Sequence, residues 1–280
     1  MTNKDLTVII TTFKSEDKIE NCLNSIDSNV KIIVVENSNN KKFQNYIENR
    51  YKNAECILTK ENLGYGRANN IALKKVKTRY SLILNPDTIL SKNSLNNFFS
   101  FAEVVKNFAI VAPDQNELEV KNNKLKEPRT KEVEQVKGFA MFLNMEKFSK
   151  IGFFDENFFL YLEEIDLCKR IKKINEKIYI EPKIKVFHHG GSSVNKIFFE
   201  EIELTRNWHW MWSLFYFNKK HHNFLSALIL VFPKLTSSLL KIIFYSFYSK
   251  SKKKDIYKKR LSGLTNSIFG KSSWYRPTLD

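Results

Sequence analysis

The sequence has few of the residues that build loop-rich or disulfide-bonded proteins. Its 280 residues include only 8 glycines and 6 prolines, which argues against a loop-rich sandwich or a low-complexity chain. The three cysteines are widely spaced, form no CxxC pair and are Cys22, Cys56 and Cys168. They exclude a cysteine zinc site and indicate a reducing compartment. No signal peptide is recognisable, since Lys4 and Asp5 lead directly into an apolar run, and we expect a cytosolic protein.

Positive charge and apolar residues are plentiful. Lysine and arginine number 46 against 30 acidic residues, a net charge of +16, and 42% of the chain is hydrophobic. That is enough apolar material for one large domain or one medium domain with appendages. The charge fits nucleic acid, an anionic membrane or a nucleotide-linked substrate, and it also fits a simple bias toward lysine.

Strand and helix patterns alternate through the first two thirds of the chain. Short apolar strand patterns lie at 6–12, 31–35, 56–59, 80–84, 109–112, 136–143 and 177–180. Helical patterns separate several of them; one is capped by Ser15, and a later one turns Leu167, Ile171 and Ile174 inward. This rhythm predicts an α/β fold with a mostly parallel, doubly wound sheet.

One apolar strand ends abruptly in Asn85-Pro86-Asp87. Proline ends the strand at once, so the amide of Asn85 and the carboxylate of Asp87 are delivered to its carboxyl end, where ligands of open α/β sheets bind. A carboxylate held there suits a divalent cation that bridges nucleotide phosphates. The alternative is that Asp87 caps the next helix.

A second acidic centre follows an aromatic run. Glu163, Glu164 and Asp166 lie at the start of a helical pattern, directly after Phe158, Phe159 and Tyr161. Carboxylates packed beside aromatic rings are partly desolvated, which raises their pKa toward the values that suit a general base. The alternative is that they only complement the positive end of the helix dipole.

Three glycine-containing segments are weaker signals. The glycines of 62–70 permit a phosphate-cradling turn but match neither GxGxxG nor a Walker motif, and they also suit a plain turn. Gly138 permits close approach by a ligand or another part of the backbone. His188 and His189 precede a Gly-Gly-Ser-Ser turn, which makes them candidate ligands of a metal or a phosphate.

After residue 203 the composition changes, which divides the chain into a catalytic domain, 1–203, and an aromatic and basic tail, 204–280. The apolar part of the tail is broken by Pro233, Lys234 and Lys241, so we expect amphipathic helices at an anionic membrane surface, not a transmembrane helix. The alternative is packing against the catalytic domain or in a homodimer. No nucleic-acid motif is present, and we expect no nucleic acid partner.

The order of the motifs resembles family 2 glycosyltransferases, and within them the rhamnosyltransferase-like branch of bacterial surface-polysaccharide synthesis. The matching stretches are VIITTFKSEDKIENCLNSI at 8–26, VVENSNN at 34–40, NLGYGRANNIAL at 62–73, LILNPDTIL at 82–90, VKGFAMFLNMEKFSKIGFFDENFFLYLEEIDLCKRI at 136–171 and HHGGSS at 188–193. The resemblance implies a single Rossmann-like, GT-A type nucleotide-sugar-binding domain.

The resemblance also implies residue roles. Glu164 stands at the place of the catalytic base, beside Glu163, and Asp166 belongs to the same motif. Asp87, with His188 and His189, corresponds to the ligands of Mg²⁺ or Mn²⁺. The implied nucleotide-sugar site comprises Thr11, Thr12, Glu36, Asn62, Gly64, Arg67, Asn70, Asn85 and Gly138. Glu36 replaces the family's usual aspartate, and Asn85 replaces the first aspartate of Asp-x-Asp.

The implied reaction is inverting transfer from a dTDP- or UDP-linked sugar to a lipid-linked glycan at the cytoplasmic face of the membrane. Two other classes stay open at this point. One is a nucleotidyltransferase on the same kind of fold, against which the Glu-Glu-x-Asp segment argues. The other is a catalytically inactive, basic protein that binds membrane or nucleic acid, suggested by the net charge and by Glu36 and Asn85.

Overall fold

A computed structural model describes residues 2–114, 129–188, 199–247 and 252–277. The chain divides into two compact units. The first comprises residues 1–154 and 164–193, and the second comprises 155–163 and 194–280. The second unit therefore includes a short segment, 155–163, that the change of composition after residue 203 did not indicate.

The described part of the first unit is built on an eight-stranded sheet. Its strands are β1 (Leu6–Thr12), β2 (Lys31–Glu36), β3 (Ala54–Leu58), β4 (Tyr80–Leu84), β6 (Ile110–Pro113), β7 (Lys131–Glu132), β8 (Ala140–Asn144) and β9 (Ile178–Glu181). Their order is β3-β2-β1-β4-β8-β6-β9-β7. The first four run parallel, which confirms the predicted α/β fold with a mostly parallel sheet. The doubly wound pattern is interrupted at β8, which runs antiparallel to β4 and β6.

Helices cover both faces of this sheet. They are α1 (Glu16–Asn24), α2 (Lys41–Arg50), α3 (Tyr65–Leu73), α4 (Ser94–Val104), α5 (Met145–Ile151) and α6 (Glu163–Lys173). Successive strand residues point to opposite faces, so Val8 and Ile10 join one apolar layer with α1, α2 and α4, while Ile9 joins the other with α3 and α6. Such double burial explains why these strands read as continuous apolar runs.

A second, two-stranded sheet is hydrogen-bonded separately from the large one. Strand β5 (Thr88–Leu90) pairs antiparallel with β10 (Val186–His188), and Thr88 stands opposite His188. The sequence did not indicate β5, because three residues so soon after a proline are too few to show a period. This pairing brings the histidine next to Asp87.

Three local expectations differ from the structure. Ser15 occupies the N-cap position of α1, but its hydroxyl donates to the carbonyl of Phe13 instead of accepting a helix N–H. Ile174 lies beyond the end of α6 and is exposed, not inward. The strand expected at 136–143 begins only at Ala140.

In the second unit, the described tail forms three helices, α7 (Phe199–His221), α8 (Phe224–Ser246) and α9 (Lys252–Ile268). Helix α9 crosses α7 closely at Gly263, where a Cβ would lie 2.1 Å from the carbonyl oxygen of Trp208. The expectation that Pro233 breaks the apolar segment is wrong, because α8 continues through it. A proline removes one backbone hydrogen bond, and α8 has buried residues on both sides of it, namely Ala227, Val231 and Ser238.

Candidate active site

The carboxyl ends of β1, β2 and β4 meet at one edge of the sheet. Thr12 and Glu36 are register partners, and Asn85 follows directly after β4. Because these strands are parallel, their ends gather polar side chains from distant parts of the chain at a place where ligands of open α/β sheets bind. The hydroxyl oxygen of Thr12 is buried there without a hydrogen bond to any described residue.

Asp87 and His188 form the centre of this edge. Asp87 is only 5% exposed, and its Oδ1 lies 3.4 Å from Nε2 of His188. The same oxygen is buried and accepts no hydrogen bond from the described residues. The histidine ring stacks on Phe139 at 4.7 Å, which holds its orientation. The next helix, α4, has Asn93 as its N-cap residue, so Asp87 does not cap a helix.

These two residues fit a divalent cation that takes its other ligands from elsewhere. Within the described ranges, no group of three His, Cys, Asp or Glu side chains could hold a metal ion alone. An orphaned carboxylate oxygen beside an imidazole nitrogen nevertheless offers two ligand atoms, and diphosphate oxygens and water commonly complete such a shell. Burial raises the pKa of the adjacent Cys22 thiol to about 12, so that thiol stays protonated. His189 lies outside the described residues.

Glu36 holds its own loop. The backbone N–H groups of Ser38 and Asn40 donate to its Oε2 at 3.2 and 3.0 Å, and the Ser38 hydroxyl donates to Oε1 at 2.5 Å. The carboxylate is 1% exposed. The longer side chain at this position therefore stabilises the turn after β2.

Asn37 is a structural centre that the sequence analysis did not select. Its side chain donates to Asn62 Oδ1 and to the Gly64 carbonyl, and its Oδ1 accepts from the backbone N–H of Leu63. Asn62 in turn accepts from the N–H of Gly64, whose φ of 81° favours glycine. The sequence could have indicated Asn37 through its position directly after β2, at the carboxyl end of a strand. Together these bonds shape the loop that opens α3.

Other predicted donor-site residues have structural partners. Thr11 donates to Asn69 at 3.1 Å. The Tyr65 hydroxyl donates to the Gly138 carbonyl at 2.5 Å and lies 3.3 Å from where a Cβ of that glycine would stand, so a side chain makes the close approach that glycine permits. Asn70 binds the backbone of Phe154. Arg67 is exposed on α3.

Glu164 is the second residue of α6 and is half-buried. Burial raises the pKa of its carboxyl above the ordinary value, and hydrogen bonds from the N–H groups of Glu164 and Ile165 oppose that rise. Its Oε2 is buried and has no hydrogen-bond partner among the described residues. A carboxylate with a raised pKa and one unpartnered oxygen suits a general base.

The other two acidic residues of the motif are placed differently. Asp166 is fully buried and pairs with Arg170 at 2.9 Å. The same guanidinium donates to the carbonyls of Ile151 and Phe153, so this pair ties α6 to the segment after α5. Glu163 is also buried, at 5% exposure, and belongs to the second unit.

Comparison with known proteins matches residues 7–168 to the family model described as glycosyl transferase family 2. The low-salt glycan biosynthesis hexosyltransferase Agl10 of Haloferax volcanii is 26% identical over 62% of this chain, and the match spans 64% of that relative's length. Rhamnosyltransferase WbbL of Escherichia coli is 25% identical over 72% of this chain and 88% of its own. An N-acetylglucosaminyl-diphospho-decaprenol L-rhamnosyltransferase of Mycobacterium tuberculosis is 30% identical over 25% of this chain and 23% of its own.

Among solved structures, the mannosyltransferase PcManGT from Pyrobaculum calidifontis, in complex with GDP-Man and Mn²⁺, has a TM-score of 0.58. It is 12% identical, and the match covers 96% of this chain and 88% of the other. At this identity the likeness is one of fold.

Proposed function

The chain belongs to glycosyl transferase family 2, and on that premise we propose that it transfers a sugar, with inversion, from a nucleoside-diphosphate donor to a hydroxyl of a lipid-linked glycan. The observation that carries the proposal is the carboxylate of Asp87. It is buried, one of its oxygens accepts no hydrogen bond from the described residues, and it lies 3.4 Å from His188. A buried polar atom without a partner is costly, and a site for a cation and a diphosphate gives it one.

The donor's diphosphate belongs at this edge of the sheet. Asp87 and His188 would hold Mg²⁺ or Mn²⁺, and the Mn²⁺ in the structure of the related mannosyltransferase supports a divalent ion. When bound, such an ion neutralises negative charge on the leaving nucleoside diphosphate. Arg67, exposed at the start of α3, adds a positive charge for the same group. We propose a dTDP- or UDP-linked donor, with rhamnose or a similar sugar.

Glu164 is the base. Its unpartnered Oε2 accepts the proton of the acceptor hydroxyl as that oxygen attacks the anomeric carbon from the face opposite the diphosphate. The carboxyl is poised for this because burial raises its pKa, which makes the carboxylate a stronger proton acceptor. One base and one displacement invert the configuration, and Asp166 with Arg170 positions the helix that carries the base.

The proposal of a lipid-linked acceptor is supported by the C-terminal helices. The name of the mycobacterial relative includes a diphospho-decaprenol acceptor, and helix α8 has a wide exposed apolar face. Its exposed members are Phe224, Leu225, Ile229, Leu230, Phe232, Leu239, Leu240, Ile243 and Phe244. By length and composition alone α8 could cross a membrane. We propose instead that it lies in the membrane surface, because the basic helix α9 packs against the side of α8 that is not exposed.

The covered side of α8 carries both apolar and polar residues, and its Ala227 and Val231 pack in one apolar cluster with Leu264 of α9. Ser238 is buried, and Lys241 donates to the Tyr257 hydroxyl at 3.0 Å. The first turns of α9 carry a cluster of lysines, namely Lys252, Lys253, Lys254, Lys258 and Lys259. A basic cluster beside an exposed apolar helix fits an anionic membrane surface. We therefore propose a peripheral location on the cytoplasmic face of the membrane.

Thermal shift with UDP, dTDP and GDP, each with and without Mn²⁺, tests the donor site. A ligand that binds only the folded protein raises its melting temperature, and we expect a metal-dependent shift with dTDP or UDP. Asp87→Asn should remove that shift, while Asp27→Asn, the same change at an exposed position, should keep it. If no nucleotide shifts the wild-type protein, the proposal fails.

A further inference from the structure

Helix α7 carries a cavity of about 380 Å³ that the proposed mechanism does not use. Its lining residues are Tyr161, Phe199, Glu203, Arg206, Asn207 and Trp210. The five that lie on α7 recur at helical spacing and occupy one stripe. Buried residues such as Ile202, Trp208 and Trp212 lie on other sides of the helix, so this stripe does not form the core of the second unit.

The stripe has the side chains of a sugar-binding site with an anion-binding group. The aromatic rings of Tyr161 and Trp210 meet edge to face at 5.5 Å, and Trp210 is 38% exposed. Pyranose rings bury their C–H faces against such rings. The Glu203 carboxylate and the Asn207 amide oxygen offer acceptors for hydroxyl groups, while the Asn207 amide nitrogen donates to the Glu203 carbonyl at 2.9 Å. The guanidinium of Arg206 forms no ion pair and no hydrogen bond with the described residues, and guanidinium groups bind phosphate with two parallel hydrogen bonds.

The segment 155–163 holds Tyr161 over this stripe. Tyr216 donates to Asp155 at 2.9 Å, and Ser213 donates to the carbonyl of Leu160 at 2.9 Å. Phe159 stacks on His209 at 4.3 Å. The segment is thereby fastened along α7 at successive turns.

The backbone of this segment is strained where it covers the cavity. Tyr161 and Leu162 have φ angles of 71° and 68°. Left-handed backbone is unfavourable for residues other than glycine, and such strain collects at binding sites. Glu164, the proposed base, follows Tyr161 by three residues in the chain.

We propose that this cavity binds the phosphorylated sugar at the acceptor's reducing end, with the sugar ring on Trp210 and Tyr161 and the phosphate on Arg206. The assignment rests on the proposed function, since it adds an acceptor site to a glycosyltransferase. The same chemistry occurs in a free sugar phosphate and in a glycan diphosphate linked to a lipid.

Direct binding to the full chain tests the assignment by calorimetry. The probes are N-acetylglucosamine 1-phosphate, N-acetylglucosaminyl diphosphate esterified with a short isoprenoid, unphosphorylated N-acetylglucosamine, and inorganic phosphate. We expect the two phosphorylated sugars to bind at least about tenfold more tightly than either fragment, because each fragment lacks one half of the contacts. Tighter binding of the isoprenoid ester identifies the lipid-linked source, and equal binding identifies the free sugar phosphate.

Arg206→Gln should weaken the binding of both phosphorylated sugars by about tenfold or more. Trp210→Leu, which removes the ring and keeps the charge, should also weaken their binding. Lys219→Gln removes the same charge from an exposed position at the end of α7 and should change nothing. The Arg206→Gln variant should bind the donor nucleotide as tightly as the wild type does. Its KM for the acceptor should therefore rise, while its KM for the donor should stay constant.

Two results would overturn the assignment: inorganic phosphate binding as tightly as the phosphorylated sugars, or Arg206→Gln binding them as tightly as the wild type. Either would leave the metal-dependent nucleotide shift intact, so the acceptor site would fail while the glycosyltransferase proposal survived. If instead no nucleotide raises the melting temperature but sugar phosphates still bind in an Arg206-dependent way, the glycosyltransferase proposal would fail and the sugar phosphate site would survive.

Discussion

Asn70 and Phe154, 84 residues apart, are joined by two hydrogen bonds. The side-chain amide of Asn70 donates to the Phe154 carbonyl at 2.9 Å, and the Phe154 N–H donates to Asn70 Oδ1 at 3.0 Å. An asparagine that the family resemblance assigns to the donor site therefore substitutes for a strand partner. It fixes the segment after α5 to helix α3 inside the first unit.

Asn70→Ala should destabilise the protein. The substitution leaves a buried N–H and a buried carbonyl of Phe154 without partners, and each loss costs about 1–3 kcal/mol. We expect the free energy of unfolding to fall by about 2–4 kcal/mol in urea titrations. Asn39→Ala, at an exposed position, should stay within about 0.5 kcal/mol of the wild type. Equal stability of the two variants would mean that water replaces the lost amide.

Glu164→Gln should separate activity from stability. Removal of a positioned base costs at least about a hundredfold in transfer rate, while donor binding stays intact. Burial raises the pKa of Glu164, so the folded state holds its proton more tightly than the unfolded state does. The cost of burying the carboxylate is then present at pH 7 and disappears as the pH falls below the unfolded value. The melting temperature of Glu164→Gln should lie above that of the wild type at pH 7 and equal it near pH 4.

Asp166→Asn provides the contrast within the same motif. It leaves the guanidinium of Arg170 without its buried partner, and breaking such pairs destabilises proteins by up to about 3–5 kcal/mol. A melting temperature below the wild type at pH 7 is expected. If Asp166→Asn is as stable as Glu164→Gln and equally inactive, the base belongs at Asp166.

His209 makes the second unit sensitive to acid. Burial lowers the pKa of this histidine to about 3; the hydrogen bond to the Tyr275 carbonyl opposes the change and the charge of Arg276 adds to it. The folded state binds fewer protons than the unfolded state between pH 6.5 and 3, so stability is lost as the pH falls. The loss approaches about 1.4 kcal/mol per pH unit. His209→Gln, which keeps a donor for the carbonyl, should flatten this part of the profile, and His222→Gln should not.

Vesicle flotation tests the proposed membrane face. The double variant Leu230→Glu/Leu240→Glu places two charges on exposed positions of α8 and should reduce binding to anionic vesicles by at least about tenfold. Val104→Glu, at an apolar position of the first unit that is 82% exposed, should bind as the wild type does. If the double variant still binds vesicles as the wild type does, another surface binds the membrane. If the wild type is a dimer and the double variant is a monomer, the exposed face of α8 is a homodimer contact.

The family and most of the fold could be predicted from residues near each other in the chain. Runs such as 6–12 and 80–84 are apolar because both faces of their sheet are covered, and the ordered motifs identified the family. Ile174 was wrongly predicted to face inward, because the helical spacing does not show that α6 ends at Lys173. Strand β5 was missed because three residues are too few to show a period. The roles assigned to the individual site residues stay predictions.

The sequence by itself determined most strands of the large sheet, the polar residues at their carboxyl ends and the acidic motif at the start of α6, since all of these depend on local side-chain patterns. Only the tertiary structure decided that Asp87 meets His188, because the antiparallel pairing of β5 with β10 joins distant segments. It also decided that the side of α8 with Ala227, Val231 and Ser238 packs against the neighbouring helices, which leaves the other, apolar side exposed. Helical spacing shows that a helix has two faces, and only packing shows which of them is covered.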